Sequence, residues 1–226
     1  MAGTLFLVAT PIGNWEDITL RALRVLNEVD LIVFEEGKEG SRLLRHYGIE
    51  KPVESLNEHN EAAATHVILG RLKEGSSVAL ISDAGTPVFS DPGQVLVRRA
   101  LELGIKIVPV PGASSLLAAL IVSGFPLREF VFRGFLSPKK ERRISDLQQL
   151  KREHRTIVLM DAPYRLVQLV RDIADVFGTT RRICVAFDLT LPTEQIFHGT
   201  APELHKLFAK EERKGEFVVL LEGAGK

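Results

Sequence analysis

The sequence predicts an α/β protein with largely parallel sheets, built as two α/β domains. Three observations carry this. Short apolar runs bounded by turn residues alternate with segments of helical period. The runs are too short for helices and read as buried strands. The 226 residues suit one large domain or two small ones at roughly 100–150 residues each, and a composition break near residue 126 favours two. Taken in order, the expected strands are residues 4–9, 31–34, 77–81, 106–110, 130–133, 156–160, 182–187 and 216–222. Helical patterns fill residues 18–28, 60–73, 94–103, 114–123, 141–153, 164–177 and 201–210. In the first of these, Leu20, Leu23 and the Val25-Leu26 pair recur at helical spacing. A boundary falls near Gly124-Phe125-Pro126-Leu127, where a new strand opens after four strand–helix or strand–loop units. The expected domains are therefore residues 1–126 and 127–226, with a cleft between them as the default ligand site.

Composition narrows the function. Hydrophobic residues make up 45% and charged residues 26%, an ordinary globular balance. Lys and Arg number 29 and Asp and Glu number 29, so no global field draws the chain to nucleic acid. A local basic patch is still allowed. One cysteine, Cys184, excludes a disulfide framework and a thiolate metal cluster and fits a reducing compartment. The six histidines show no zinc spacing, so no metal is expected. No apolar run approaches the roughly 20 residues of a membrane span. The first residues lack a signal peptide's basic and apolar regions, so a cytoplasmic protein is expected.

Three glycine- and proline-bearing segments follow strands. Val8-Ala9-Thr10-Pro11-Ile12-Gly13-Asn14 ends the first strand. It is neither a dinucleotide fingerprint nor a phosphate loop, because Gly-x-Gly-x-x-Gly and Gly-Lys-Ser/Thr are both absent. The second, residues 82–93, holds two glycines, two prolines and two aspartates, far more than a short βα turn needs. Glycines let a ligand approach the backbone, and prolines lower the entropy cost of an open loop. Asp91 also reads as a helix cap with Pro92 as first helical residue. The third, Val110-Pro111-Gly112-Ala113-Ser114-Ser115, pairs small residues with hydroxyls, and Ser114 reads equally as a helix N-cap. In a parallel sheet, ligands bind at the carboxyl edge where such loops lie.

These segments, in this order, resemble the tetrapyrrole methylase superfamily and, within it, the ribosomal small subunit methyltransferase I family. The likeness runs through Ala9-Thr10-Pro11-Ile12-Gly13-Asn14, Asp17-Ile18-Thr19, Glu58-His59-Asn60-Glu61, residues 82–93, Val108-Pro109-Val110-Pro111-Gly112 and Lys214-Gly215-Glu216-Phe217-Val218. The resemblance implies a tetrapyrrole methylase-like fold and a homodimer, with S-adenosylmethionine between the domains. The matching cofactor positions are Pro11, Ile12, Asp83, Gly85, Thr86, Pro87, Phe89, Ser114 and Ser115, with the second domain closing through Ala162. It also implies methylation of a cytidine ribose 2′-hydroxyl in small-subunit ribosomal RNA, with that RNA or the small ribosomal subunit as partner. Alternatives on the same fold are a tetrapyrrole-like small molecule, another RNA, or a cofactor-binding paralogue without catalysis.

The sequence departs from the family pattern at grouped places. Glu35-Glu36-Gly37-Lys38 stands for Glu-Asp-Thr-Arg, and Phe187-Asp188-Leu189-Thr190-Leu191 for Arg-Glu-Leu-Thr-Lys. Asp161-Ala162-Pro163-Tyr164-Arg165 stands for Glu-Ser-Pro-His-Arg. Methyl transfer to a hydroxyl is helped by a base within hydrogen-bond reach. Glu35 and Glu36, after the second strand, are the candidates, against a reading as solvated loop carboxylates. Lys38, Asn60, Asp188 and Thr190 are the candidate substrate contacts, and Asn60 reads equally as a helix cap. The cluster Lys139-Lys140-Glu141-Arg142-Arg143 either tracks a nucleic-acid backbone or opens a solvated helix. Trp15 either stacks on a base or packs the fold.

Overall fold

A computed structural model describes residues 2–35, 37–211 and 213–225. They form two compact units, Met1–Ser114 and Ser115–Lys226.

The first unit holds β1 (Thr4–Val8), α1 (Leu20–Glu28), β2 (Leu31–Phe34), α2 (Gly37–His46), β3 (Val53–Ser55), α3 (Glu61–Lys73), β4 (Val78–Ile81), α4 (Gln94–Glu102) and β5 (Lys106–Val110). The strands form one sheet in the order β3-β2-β4-β1-β5, and every pairing is parallel. β2 and β4 are buried at every position because helices cover both faces. The pleat sorts their side chains. Leu31, Val33, Val78 and Leu80 meet Ile68, Leu72, Leu96 and Ala100 of α3 and α4. Ile32, Phe34, Ala79 and Ile81 meet Ala22, Val25, Leu43 and Leu44 of α1 and α2.

Two elements here were not legible as period. α2 carries two glycines and five ionisable side chains in ten residues, which hides its helical face. Its Leu43 and Leu44 nevertheless reach the core, and Gly40 is buried because a Cβ there would lie 2.4 Å from the Phe34 ring. β3 is a short edge strand with a mostly exposed pattern.

The second unit holds α5 (Ser115–Val122), β6 (Phe130–Phe135), α6 (Lys140–Leu150), β7 (Thr156–Met160), α7 (Leu166–Phe177), β8 (Arg182–Phe187), β9 (Gln195–Thr200), α8 (Ala201–Phe208) and β10 (Phe217–Leu221). The strand order is β6-β7-β10-β8-β9. This sheet is mixed, a correction to the largely parallel expectation: β6 and β7 are parallel, while β10 runs against β7 and β8, and β9 against β8. β9 was missed because Gln195, His198 and Gly199 interrupt its apolar pattern. α5 packs against β8 and β10, so the division falls at Ser114/Ser115, ahead of the turn near residue 126. Cys184 is buried in β8, and burial pushes its thiol up to about 11.

Arg143 corrects the reading of the 139–143 cluster as one basic surface. It is 4% exposed. Its Nε donates to Asp172 Oδ2 at 2.7 Å, and its Nη1 donates to the carbonyls of Ser137 and Pro138, both at 3.1 Å. Gln168 Nε2 completes the pair by donating to Asp172 Oδ1 at 2.8 Å. Removing one partner of such a buried pair leaves the other charge uncompensated. Arg143→Ala should therefore destabilise the protein by about 3–5 kcal/mol in urea denaturation, and the double variant Arg143→Met/Asp172→Leu should recover most of that loss.

Candidate active site

The sheet order places β1 between β4 and β5, so the three loops singled out from the sequence emerge side by side. Thr10 joins them. Its N–H donates to the Gly85 carbonyl at 2.9 Å and its hydroxyl to the Ser82 carbonyl at 2.9 Å. One residue earlier, the Ala9 N–H donates to the Val110 carbonyl at 3.1 Å. The Thr86 hydroxyl reaches the Ala113 carbonyl at 3.4 Å. Thr10 is 1% exposed, so its own two bonds form out of competition with water.

Glycine is required where the loops meet. Gly85 has φ +89°, and a Cβ on it would lie 3.1 Å from Ile12 Cγ2. A Cβ on Gly112 would lie 3.0 Å from Ala9 Cβ. The second loop also carries strain: Val88 and Ser90 have φ of 71° and 70°. Positive φ is unfavourable for a β-branched residue and persists only where surroundings impose it.

Asp91 does not cap the following helix. It accepts the Ser82 hydroxyl at 2.5 Å, while burial pushes its carboxyl up and that hydrogen bond opposes the shift. α4 starts at Gln94 after Gly93, whose φ is +118°. Glu61 takes the capping role, accepting the Gly93 N–H at 2.8 Å. Sequence reasoning missed this because Glu61 lies on α3, far along the chain.

The structure brings Pro11, Ile12, Asp83, Gly85, Thr86, Pro87, Phe89 and Ser114 to the carboxyl edge of the first unit's sheet. Pro11, Gly85 and Pro87 are buried, Asp83, Ile12 and Ser114 half-buried, and Thr86 and Phe89 exposed. Glu35 follows β2 at the same edge and is half-buried. Glu36 lies outside the described residues. Lys38 is exposed in the first turn of α2. Asn60 is occupied locally: its side chain accepts the Asn57 N–H at 2.8 Å and donates to the Ser55 carbonyl at 3.0 Å. Trp15 packs on α2. It stacks on His46 at 4.6 Å between centroids, meets Tyr47 edge-on, and lies under Arg42 at 5.5 Å.

Ser115 and Ala162 belong to the second unit. There, Ala162, Asp188 and Thr190 follow β7 and β8, which run in the same direction, and so share one edge. Asp188 and Thr190 have φ of 49° and 68°. Asp188 is 9% exposed and accepts the Thr193 hydroxyl at 2.9 Å. A Cβ on Gly215 would lie 2.2 Å from Asp188 Oδ1, so that residue must be glycine. Beside Ala162, Asp161 Oδ1 pairs with Arg165 at 2.5 Å and accepts the Ala162 N–H at 2.8 Å. Burial raises the Asp161 carboxyl, opposed by that N–H, Arg165 and Arg143. Asp161 Oδ2 and Arg165 Nε and Nη1 are buried with no hydrogen-bond partner among the described residues. Sequence reasoning named Ala162 and missed this pair.

Residues 4–205 match the family Tetrapyrrole (Corrin/Porphyrin) Methylases, and the chain belongs to that family. The chain is 48% identical over 224 residues to ribosomal RNA small subunit methyltransferase I of Pseudomonas aeruginosa, covering 98% of this chain and 79% of the relative. It is 45% identical over 221 residues to the protein of the same name from Thermotoga maritima, covering 98% and 99% of the two. Among solved structures, a cobalt precorrin-4 methyltransferase superposes with TM-score 0.72 at 17% identity, covering 97% of this chain and 94% of that one. A Thermus thermophilus uroporphyrin-III C-methyltransferase, complexed with S-adenyl homocysteine, superposes with TM-score 0.66 at 21% identity, covering 97% of each chain. The chain is an S-adenosylmethionine-dependent methyltransferase.

The residues present fit that cofactor. Pro11, Ile12, Pro87 and Phe89 offer apolar wall, Asp83, Thr86 and Ser114 offer polar groups, and Gly85 lets the first two loops meet with no side chain between them. Gly85→Val should impose strain on a β-branched residue at positive φ and drive a methyl toward Ile12. Calorimetry should show S-adenosylmethionine binding weakened about tenfold or more, in line with roughly 1–3 kcal/mol of backbone strain.

Proposed function

We propose that the chain methylates a cytidine ribose 2′-hydroxyl in small-subunit ribosomal RNA. The observation that carries this is the 41–48% identity, along 98% or more of the chain, to proteins named ribosomal RNA small subunit methyltransferase I. Pro11, Ile12, Asp83, Gly85, Thr86, Pro87, Phe89 and Ser114 hold the cofactor on the first unit, and Ser115 and Ala162 are the cofactor residues of the second unit. When bound, S-adenosylmethionine supplies an electrophilic methyl group on a sulfonium.

The protein's own work is positioning and proton handling. Glu35 accepts the proton of the attacking hydroxyl. β2 lies two strands from β1, roughly 10 Å away, so Glu35 stands beside the loops assigned to the cofactor. Lys38 holds a substrate phosphate as a point charge from the exposed first turn of α2. Asp188 and Thr190, held at positive φ, are the substrate contacts of the second unit. Asn60 shapes the turn at residues 55–60 and acts on substrate only through it.

We further propose a cytoplasmic homodimer. No helix among the described residues is long and apolar enough to cross a membrane. On α5, Leu117 is 58% exposed and Ile121, one turn on, is 74% exposed, apolar area suited to a second copy. Light scattering at micromolar protein should give about twice the 25.0 kDa chain mass.

Tritiated methyl transfer from S-adenosylmethionine to isolated small ribosomal subunits tests the reaction. Label is expected in a ribose 2′-O-methyl cytidine after nuclease digestion. Glu35→Gln should lower kcat by about 10²–10⁴ while leaving cofactor affinity near the parent's. Label in a tetrapyrrole and none in subunits would overturn the RNA reading.

A further inference from the structure

The basic cluster at residues 139–143 gives up one of its charges to the core. Arg143 is withdrawn into the core, leaving Lys139, Lys140 and Arg142 exposed around Glu141. A different concentration forms at the opposite edge of the sheet from Ala162 and Asp188. β6, β7 and β8 run the same way, so their amino ends share that edge. Arg128 precedes β6, Lys151, Arg152 and Arg155 precede β7, and Arg181 and Arg182 open β8. The acidic residues of this edge include Glu129, Glu153, Glu222 and Glu203, the last accepting the N–H and hydroxyl of Thr200, which stands opposite Arg182.

Segments distant in sequence are tied into one platform. Arg181 Nη1 donates to the Glu222 carbonyl at 2.7 Å and its Nη2 to the Lys151 carbonyl at 3.0 Å. Its guanidinium lies over the Phe177 ring at 4.9 Å. The Ala224 N–H donates to the Glu153 carbonyl at 2.7 Å, and His154 Nδ1 lies 3.0 Å from the Ala224 carbonyl. Gly223 passes so close that a Cβ would lie 1.9 Å from the His154 carbonyl oxygen. Arg155 absorbs one acid, binding both Glu153 oxygens at 2.8 Å. That pairing holds the Glu153 carboxyl down at about 2, so it stays ionised and committed to Arg155. Lys151, Arg152 and Arg182 are exposed and have no ion pair among the described residues.

We propose that this edge is a second contact surface for the phosphodiester backbone of the RNA substrate, with Lys151, Arg152 and Arg182 as its phosphate-facing charges. The inference rests on the RNA reading under Proposed function and adds where the RNA is held away from the reacting ribose. Charge complementarity selects the partner: exposed cationic side chains on a hydrogen-bonded platform match an array of phosphates. Five strand residues at roughly 3.3 Å each separate this edge from the Ala162 edge by roughly 17 Å, within reach of one structured RNA segment. In a chain with no net charge, such a surface supplies the local attraction that the whole molecule lacks.

The test is the triple variant Lys151→Gln/Arg152→Gln/Arg182→Gln, which spares Arg155 and Arg181 because they hold the platform together. Methyl transfer to small ribosomal subunits, and direct binding of small-subunit RNA, are measured across a salt series. The variant should show KM for subunits raised tenfold or more, kcat at saturating subunits and cofactor affinity unchanged, and the same thermal midpoint. Its log K against log salt slope should be shallower by about 2–3, one released counterion for each lost phosphate contact. An unchanged KM and slope would overturn the proposal, as would a parent that neither binds nor methylates the RNA. If the parent binds RNA without methylating it and the variant loses the salt slope, the surface stands and the methyl-acceptor reading falls.

Discussion

Thr10 sits where β1 gives way to its loop, and its two donors close onto the segment after β4. The loops after β1 and β4 are tied to each other at that joint. A loop the length of residues 82–93 has a large conformational entropy to lose, and a positive φ at Val88 and Ser90 adds strain. Buried hydrogen bonds from a neighbouring strand end offset both. The same joint sets the close approach of Gly85 to Ile12. From there the order is passed outward: residues 15–17 form a short turn of helix, and Trp15 packs on His46 and Arg42 of α2. The helix that carries Lys38 is thus held by the residue that follows the first loop.

The second unit uses charge in its interior. Asp172 and Arg143 satisfy each other and fix the loop at residues 137–139 through backbone carbonyls. Asp161 and Arg165 are less complete, with three buried polar atoms unpaired among the described residues. Such groups are costly unless they meet a partner. Their position next to Ala162 puts the cost at a loop of this unit that the family resemblance assigned to the cofactor. The two ion pairs thus differ in whether their hydrogen bonds are filled, and the incomplete one adjoins the proposed site.

The departures from the family pattern gain a physical meaning in this setting. Phe187 is 5% exposed and belongs to the core of the second unit, so replacement of a family arginine there removes a charge from the start of the loop. Asp188, one residue on, remains held by Thr193 and by the closeness of Gly215. The turn is therefore kept while its cationic flanks are lost. A surface at the far edge of the same sheet, tied together by Arg181, carries positive charge instead.

The sequence by itself determined the α/β class, most strands, and the loops that form the first unit's site. These features are local: apolar runs, glycines and prolines report the backbone where they stand. α2 and β9 escaped because their apolar faces are interrupted by glycine and polar residues, and only Phe34 and β8 show why each is ordered. Glu61 as the cap of α4, Arg143 as a core residue and Trp15 as a packing residue depend on partners from other elements. The mixed direction of the second sheet was decided by which strands pair, since β10 enters between β7 and β8. Pairing, burial and charge clustering are properties of side chains brought together from distant segments, and one-dimensional spacing does not contain them.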